Sequence, residues 1–141
     1  MTSTQVEKKL KRFFWLKKEV MAKEQRLDEL ITAATHITAV LAPVRASTSG
    51  ISSKPEDYAI RSFELKMDLE DDMNRLIIEM TECERMISIL EEPLQRAILI
   101  DYHFNGIPLR KLEDKYHYSR KQIYNIRQTA YENIAHNYTA E

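Results

Sequence analysis

Backbone breakers are scarce in this chain and fall in three places. Gly50, Pro43 and Pro55 lie within 42–57, Pro93 stands alone, and Gly106 and Pro108 sit close together. The stretches between them are rich in Glu, Lys, Leu, Ile, Met and Arg, residues that lose little side-chain freedom in a helix. A chain of 141 residues punctuated so thinly is expected to be all-α, with long helices first and short ones last.

The spacing predicts one helix over Thr4–Leu41. Val6, Phe13, Val20, Leu27, Ala34 and Leu41 recur every seven residues, and Leu10, Leu16, Leu30, Ile31 and Ile37 widen the stripe. A seven-residue repeat keeps one seam against a partner helix. Phe13-Phe14-Trp15-Leu16 is too apolar all round for a two-helix seam, so more than one neighbour is expected there. Residues 42–57 (APVRASTSGISSKPED) have no apolar period and predict a flexible loop, with Pro55, Glu56 and Asp57 opening the next helix. That helix is expected over Tyr58–Leu90. Leu69, Met73, Leu76, Met80, Cys83, Ile87 and Leu90 alternate by four and three, a coiled-coil seam with methionines (Met67, Met73, Met80, Met86) as adaptable fillers.

Charge is balanced overall, 21 basic against 22 acidic residues, but not along the chain. Residues 1–41 carry eight Lys/Arg and five Asp/Glu, residues 56–92 four and twelve, and residues 105–128 six and two. An acidic second helix against a basic first one suits an antiparallel hairpin. The same pattern suits pairing between subunits, and the pattern leaves both open. Residues 1–90 are thus expected to form a long coiled-coil-like hairpin serving oligomerisation or partner binding, and residues 91–141 a separate small domain.

Pro93 ends the second helix, because it lacks an N–H and turns Glu92 away from helical angles. Three short helices are predicted after it: Leu94–Phe104, Pro108–Tyr116, and a last one running from Ser119 to His136. Asn105-Gly106 supplies a left-handed turn, His117-Tyr118 a short one, and Ser119 with Gln122 a capping box. Two short helices joined by so tight a turn, the second well capped, make a helix-turn-helix, whose second helix lies in the major groove of DNA. With Ile123, Ile126, Ala130 and Ile134 as its buried stripe, helix 119–136 turns Arg120, Lys121, Tyr124 and Gln128 outward, flanked by Asn125 and Arg127. Arg and Lys donate to guanine, Asn and Gln pair with adenine, and Tyr reaches a phosphate or a thymine methyl. Arg120, Lys121, Tyr124, Asn125 and Gln128 are therefore the candidate base contacts. Arg110, Lys111, Lys115, Ser119 and Arg127 are the candidate phosphate contacts, which position a reader without reading sequence.

The span LQRAILIDYHFNGIPLRKLEDKYHYSRKQIYNIRQTAYENI resembles the promoter-binding C-terminal domain of sigma factors. More specifically it resembles the sigma-like transcription regulators of phages and prophages of Gram-positive bacteria, the ArpU/RinA type. Asp101-Tyr102-His103-Phe104-Asn105-Gly106 stands for the Tyr-rich turn, Tyr118-Ser119 for the opening of the recognition helix, and Ala130 for its late alanine. Leu112-Glu113 departs from the usual Ile-Ala and puts a charge near the elbow of the motif. The resemblance covers about residues 92–136. It implies a regulator of late phage transcription that binds promoter DNA in the cytoplasm of a bacterial host cell, with host RNA polymerase as a partner.

Other chemistry is thinly represented. His36, His103, His117 and His136 show no ligand spacing with one another or with Cys83, so neither metal nor cofactor is expected. Cys83 sits in the seam as a small core residue, adjacent carboxylates such as Asp71-Asp72 point apart, and no phosphate-cradling glycine loop exists; no catalytic role is expected. A lone cysteine, with neither a secretory leader nor a membrane-length apolar run, points to a reducing compartment and no membrane. The reading that follows is a sequence-specific DNA-binding transcriptional regulator acting as a homo-oligomer, a dimer first, since one helix-turn-helix grips few phosphates. Two readings compete: a DNA-packaging subunit like the small terminases, and a protein–protein adaptor acting on the host transcription machinery.

Overall fold

A computed structural model describes residues 1–41 and 53–139, all of whose regular structure is helical. The helices are α1 (Ser3–Leu41), α2 (Ser53–Ser88), α3 (Pro93–Leu99), a π-helical turn (Ile100–Phe104), α4 (Leu109–Tyr116) and α5 (Arg120–Asn137). The all-α class and the pairing of a long first helix with a second agree with the sequence. The loop expected over 42–57 falls largely outside the described residues. Its end does not: α2 begins at Ser53, so 53–57 are helical and Pro55 sits within the first turn, where its missing N–H costs nothing. The chain divides into two compact units, residues 1–17 with 76–141, and residues 18–75.

The first unit is built on one core. Val6, Leu10 and Phe13 of α1 and Cys83, Met86, Ile87 and Leu90 of α2 are buried together with Leu99 of α3 and Ala130, Tyr131 and Ile134 of α5. This is why α1 is apolar on more than one side near Phe13: it meets α2 on one flank and the short helices on another. The boundary expected at residue 90 therefore falls inside a single packed body. Thr2 starts α1 with a capping box, Thr2 N–H donating to Gln5 Oε1 (2.8 Å) and Gln5 N–H to Thr2 Oγ1 (3.2 Å). Lys9 pairs with Glu82 (2.5 Å) and Arg12 with Glu79 (3.9 Å). As numbers rise on α1 they fall on α2, so the two run antiparallel, with basic residues against acidic ones.

A second, smaller core sits under the short helices: Ile98 of α3, Leu112 of α4 and Ile123 of α5, covered by Leu94, Tyr102, Ile107, Leu109, Tyr116 and Ile126. The α3 helix gives way at once to the π-helical turn, closed by Asn105 N–H donating to the Ile100 carbonyl (3.0 Å). The wider turn carries Asp101 and His103 inward. Gly106 follows at φ 65°, and a Cβ there would stand 3.1 Å from the Phe14 ring, so both conformation and space ask for glycine.

In the second unit Val20, Leu30 and Leu69 are buried. The Lys23 ammonium is shared among Asp72, Asp68 (3.1 Å) and Glu19 (3.5 Å); the hydrogen bond to Asp72 is foremost in raising its pKa above the ordinary lysine value. Much of the apolar surface stays open: Met21, Ile31, Ile60, Phe63, Met67 and Met73 are all exposed.

Candidate nucleic-acid interface

The path from α4 to α5 is short because one residue makes the corner. His117 closes α4 in the left-handed region (φ 58°, ψ 38°), and Tyr118 and Ser119 lead straight into α5. Histidine is among the few side chains that visit this region with some frequency. Ser119 then caps α5: its Oγ accepts the Gln122 N–H (3.2 Å) while Gln122 Oε1 accepts the Ser119 N–H (2.8 Å). The expected capping box is present, and it uses the Ser119 side chain to hold the start of the helix.

The α5 helix is anchored along one side and open along the other. Ile123, Ala130, Tyr131 and Ile134 are fully buried, whereas Arg120, Lys121, Asn125 and Tyr124 (52% exposed) face solvent. Gln128 is half-buried at the edge of that surface. Arg110 and Lys111 project from the first turn of α4 and are exposed. The charge at the elbow finds a partner: Glu113 lies 3.8 Å from the Arg120 guanidinium, an ion pair that links the two helices across the turn.

Two of the sequence-predicted residues are used differently. Arg127 is not on the open surface; it is 4% exposed. Its guanidinium stacks over the Tyr102 ring (4.1 Å) and reaches the Glu7 carboxylate of α1 (3.8 Å), while its Nε has no hydrogen-bond partner. The signal was available, since 127 lies four residues after Ile123 and four before Tyr131, inside the buried stripe. Lys115 is half-exposed, but its ammonium donates to Asp101 Oδ2 (2.7 Å). The same carboxylate accepts from Tyr116 Oη (2.5 Å) and Asn105 Nδ2 (3.0 Å). Burial alone would push the Asp101 carboxyl up, but these three donors outweigh it and hold it below the ordinary aspartate value. Asp101 thereby ties the π-helical turn to α4.

His103 serves as a packing residue of the core. It is 1% exposed and shares a 2.6 Å hydrogen bond with Tyr131 Oη. Burial first, then the nearby Arg127 and Lys11, push its pKa down to about 3, so the ring is neutral at ordinary pH. Burial likewise raises Tyr131 to about 12. Cys83 is fully buried and its thiol is pushed up to about 12, by burial and then by Glu79, which suits a core residue and not a nucleophile. Among the described residues no group of three or more His, Cys, Asp or Glu side chains could hold a metal ion, and no helix is long and apolar enough to cross a membrane.

An open cleft of about 350 Å³ lies beside the entrance to α4, lined by Lys11, Phe14 and Trp15 of α1 and by Tyr102, His103, Gly106, Ile107 and Pro108. No protein-family profile, curated protein or solved structure matches the chain.

Proposed function

We propose that the chain is a sequence-specific DNA-binding transcription regulator of the phage or prophage sigma-like kind, reading the major groove with α5 in the cytoplasm of a bacterial host. The observation that carries this is the two-sidedness of α5: Arg120, Lys121, Tyr124 and Asn125 stand exposed on its first two turns while Ile123, Ala130 and Ile134 are fully buried behind them. Arg120 and Lys121 suit guanine, Asn125 and Gln128 suit adenine, and Tyr124 suits a phosphate or a thymine methyl. Arg110 and Lys111 supply phosphate contacts from α4, and Ser119 serves chiefly as the cap. Host RNA polymerase is a partner that the resemblance to sigma factors supports.

Selection of bound duplexes from a random pool tests the reading. Enrichment of a defined site, lost when Arg120 and Lys121 are both replaced by Ala, is the expected result. No enrichment, or enrichment untouched by the substitution, overturns it and favours the adaptor. Exposed Ile60, Phe63 and Met67, spaced to share one face of α2, favour self-association in either DNA-binding reading. A dimer in solution fits the regulator, and a ring of eight or more subunits the packaging protein.

A further inference from the structure

We infer that α1 belongs to the DNA-binding surface, and that Lys8 and Lys11 grip the phosphate backbone alongside α4 and α5. The inference rests on the proposed DNA reading and extends it to a helix that the motif itself leaves out. Four observations carry it. Val6, Leu10 and Phe13 share a buried core with Ala130, Tyr131 and Ile134, so the start of α1 is fixed against α5. The Glu7 carboxylate lies 2.9 Å from the Lys11 ammonium and 3.8 Å from the Arg127 guanidinium, which places Lys11 beside α5. The buried Arg127 is one turn along α5 from Tyr124, which does face solvent. Lys11 also lines the cleft that Ile107 and Pro108 border, at the entrance to α4 and next to Arg110 and Lys111.

Lys8 and Lys11 are both exposed and three residues apart, hence neighbours on one helix face. Lysine is a flexible point charge suited to phosphate oxygens. The pairing of Lys11 with Glu7 leaves that role open, because the Lys11 side chain is 49% exposed and its ammonium has three donors. With Arg127 withdrawn into the core, these two lysines restore positive charge to the α1 side of the surface.

The test is the salt dependence of full-length protein binding to a mixed-sequence 30-base-pair duplex, titrated between roughly 50 and 200 mM KCl. Each lost phosphate contact flattens the slope of log affinity against log salt by about 0.9. The Lys8→Gln/Lys11→Gln variant is expected to flatten it by about 1.8, with an unchanged melting curve. Arg61→Gln/Lys66→Gln, which removes equal charge from exposed positions on α2, is expected to leave it unchanged. An unaltered slope in the α1 variant overturns the inference while the DNA reading stands. Equal flattening in both variants also overturns it, as an effect of net charge. A flat slope in the wild-type protein brings down the DNA reading and this inference with it.

Discussion

The two compact units draw on the same two long helices and use them differently. In residues 1–17 with 76–141, each long helix finds a second neighbour, and the core closes around Leu10, Cys83, Met86, Tyr131 and Ile134, all fully buried. In residues 18–75, the helical segments bury Val20, Leu30 and Leu69 and leave Ile60, Phe63 and Met67 in solvent. Both segments carry heptad spacing and Glu/Lys-rich surfaces. The difference is the number of faces covered: two paired helices bury one stripe each, whereas α3 and α5 laid against them bury the flanks as well. The proposed reading surface lies on the unit with the extra layer.

Substitutions in matched positions would sharpen or break that contrast. The largest effect is expected from Leu10→Ala, at the upper end of the roughly 2–5 kcal/mol typical of buried leucine truncation, because its close-packed surroundings cannot collapse into the space. Leu30→Ala is expected near the lower end, about 2 kcal/mol. Denaturant melts of the two variants give the comparison, and equal losses would remove the distinction between the units.

A smaller, pH-dependent effect belongs to the first unit alone. His103 has a folded pKa of about 3, below the roughly 6.5 of an unfolded histidine, so below that value the unfolded chain binds the extra proton. The stability it contributes is complete above about pH 6.5 and declines as the pH falls toward 3, by about 1.4 kcal/mol per pH unit. His103→Gln is expected to remove that slope between pH 6 and 4, when stability is measured at each pH. A slope that survives the substitution would assign the acid sensitivity to another group.

The smallest effect is expected in the second unit. Phe63 is 64% exposed, so Phe63→Ser at low protein concentration is expected to change stability by less than about 0.5 kcal/mol. A cost of 2 kcal/mol or more, growing with protein concentration, would show that this face is buried in an oligomer.

The sequence made the local structure legible where the cause is local. The start of α1 and the ends of α4 and α5 lie within one residue of expectation, because Tyr116 and Ser119 stand next to a turn or a cap. The Asn105-Gly106 turn was readable because only glycine takes its angles cheaply. The π-helical turn over Ile100–Phe104 was not, since a widened turn has the composition of an ordinary one. Nor was the docking of α1 on α5, which depends on side chains more than a hundred positions apart. That docking and the widened turn explain the two site residues read differently. Arg127 looked like a surface cation until Glu7 and Tyr102 supplied the carboxylate and the ring that accept it. Lys115 looked free until the widened turn brought Asp101 beneath it.

The shared core also fixes when α5 can gain its full support. Val6 leaves the ribosome more than a hundred residues ahead of Ile134, which packs in the same cluster. Loop closure across so long a span comes late in folding. The nascent chain therefore carries α5 without its full support until Ile134 has been made. A product cut short before Ile134 would lose that side chain from the core, and with it the support on which the proposed DNA contact depends.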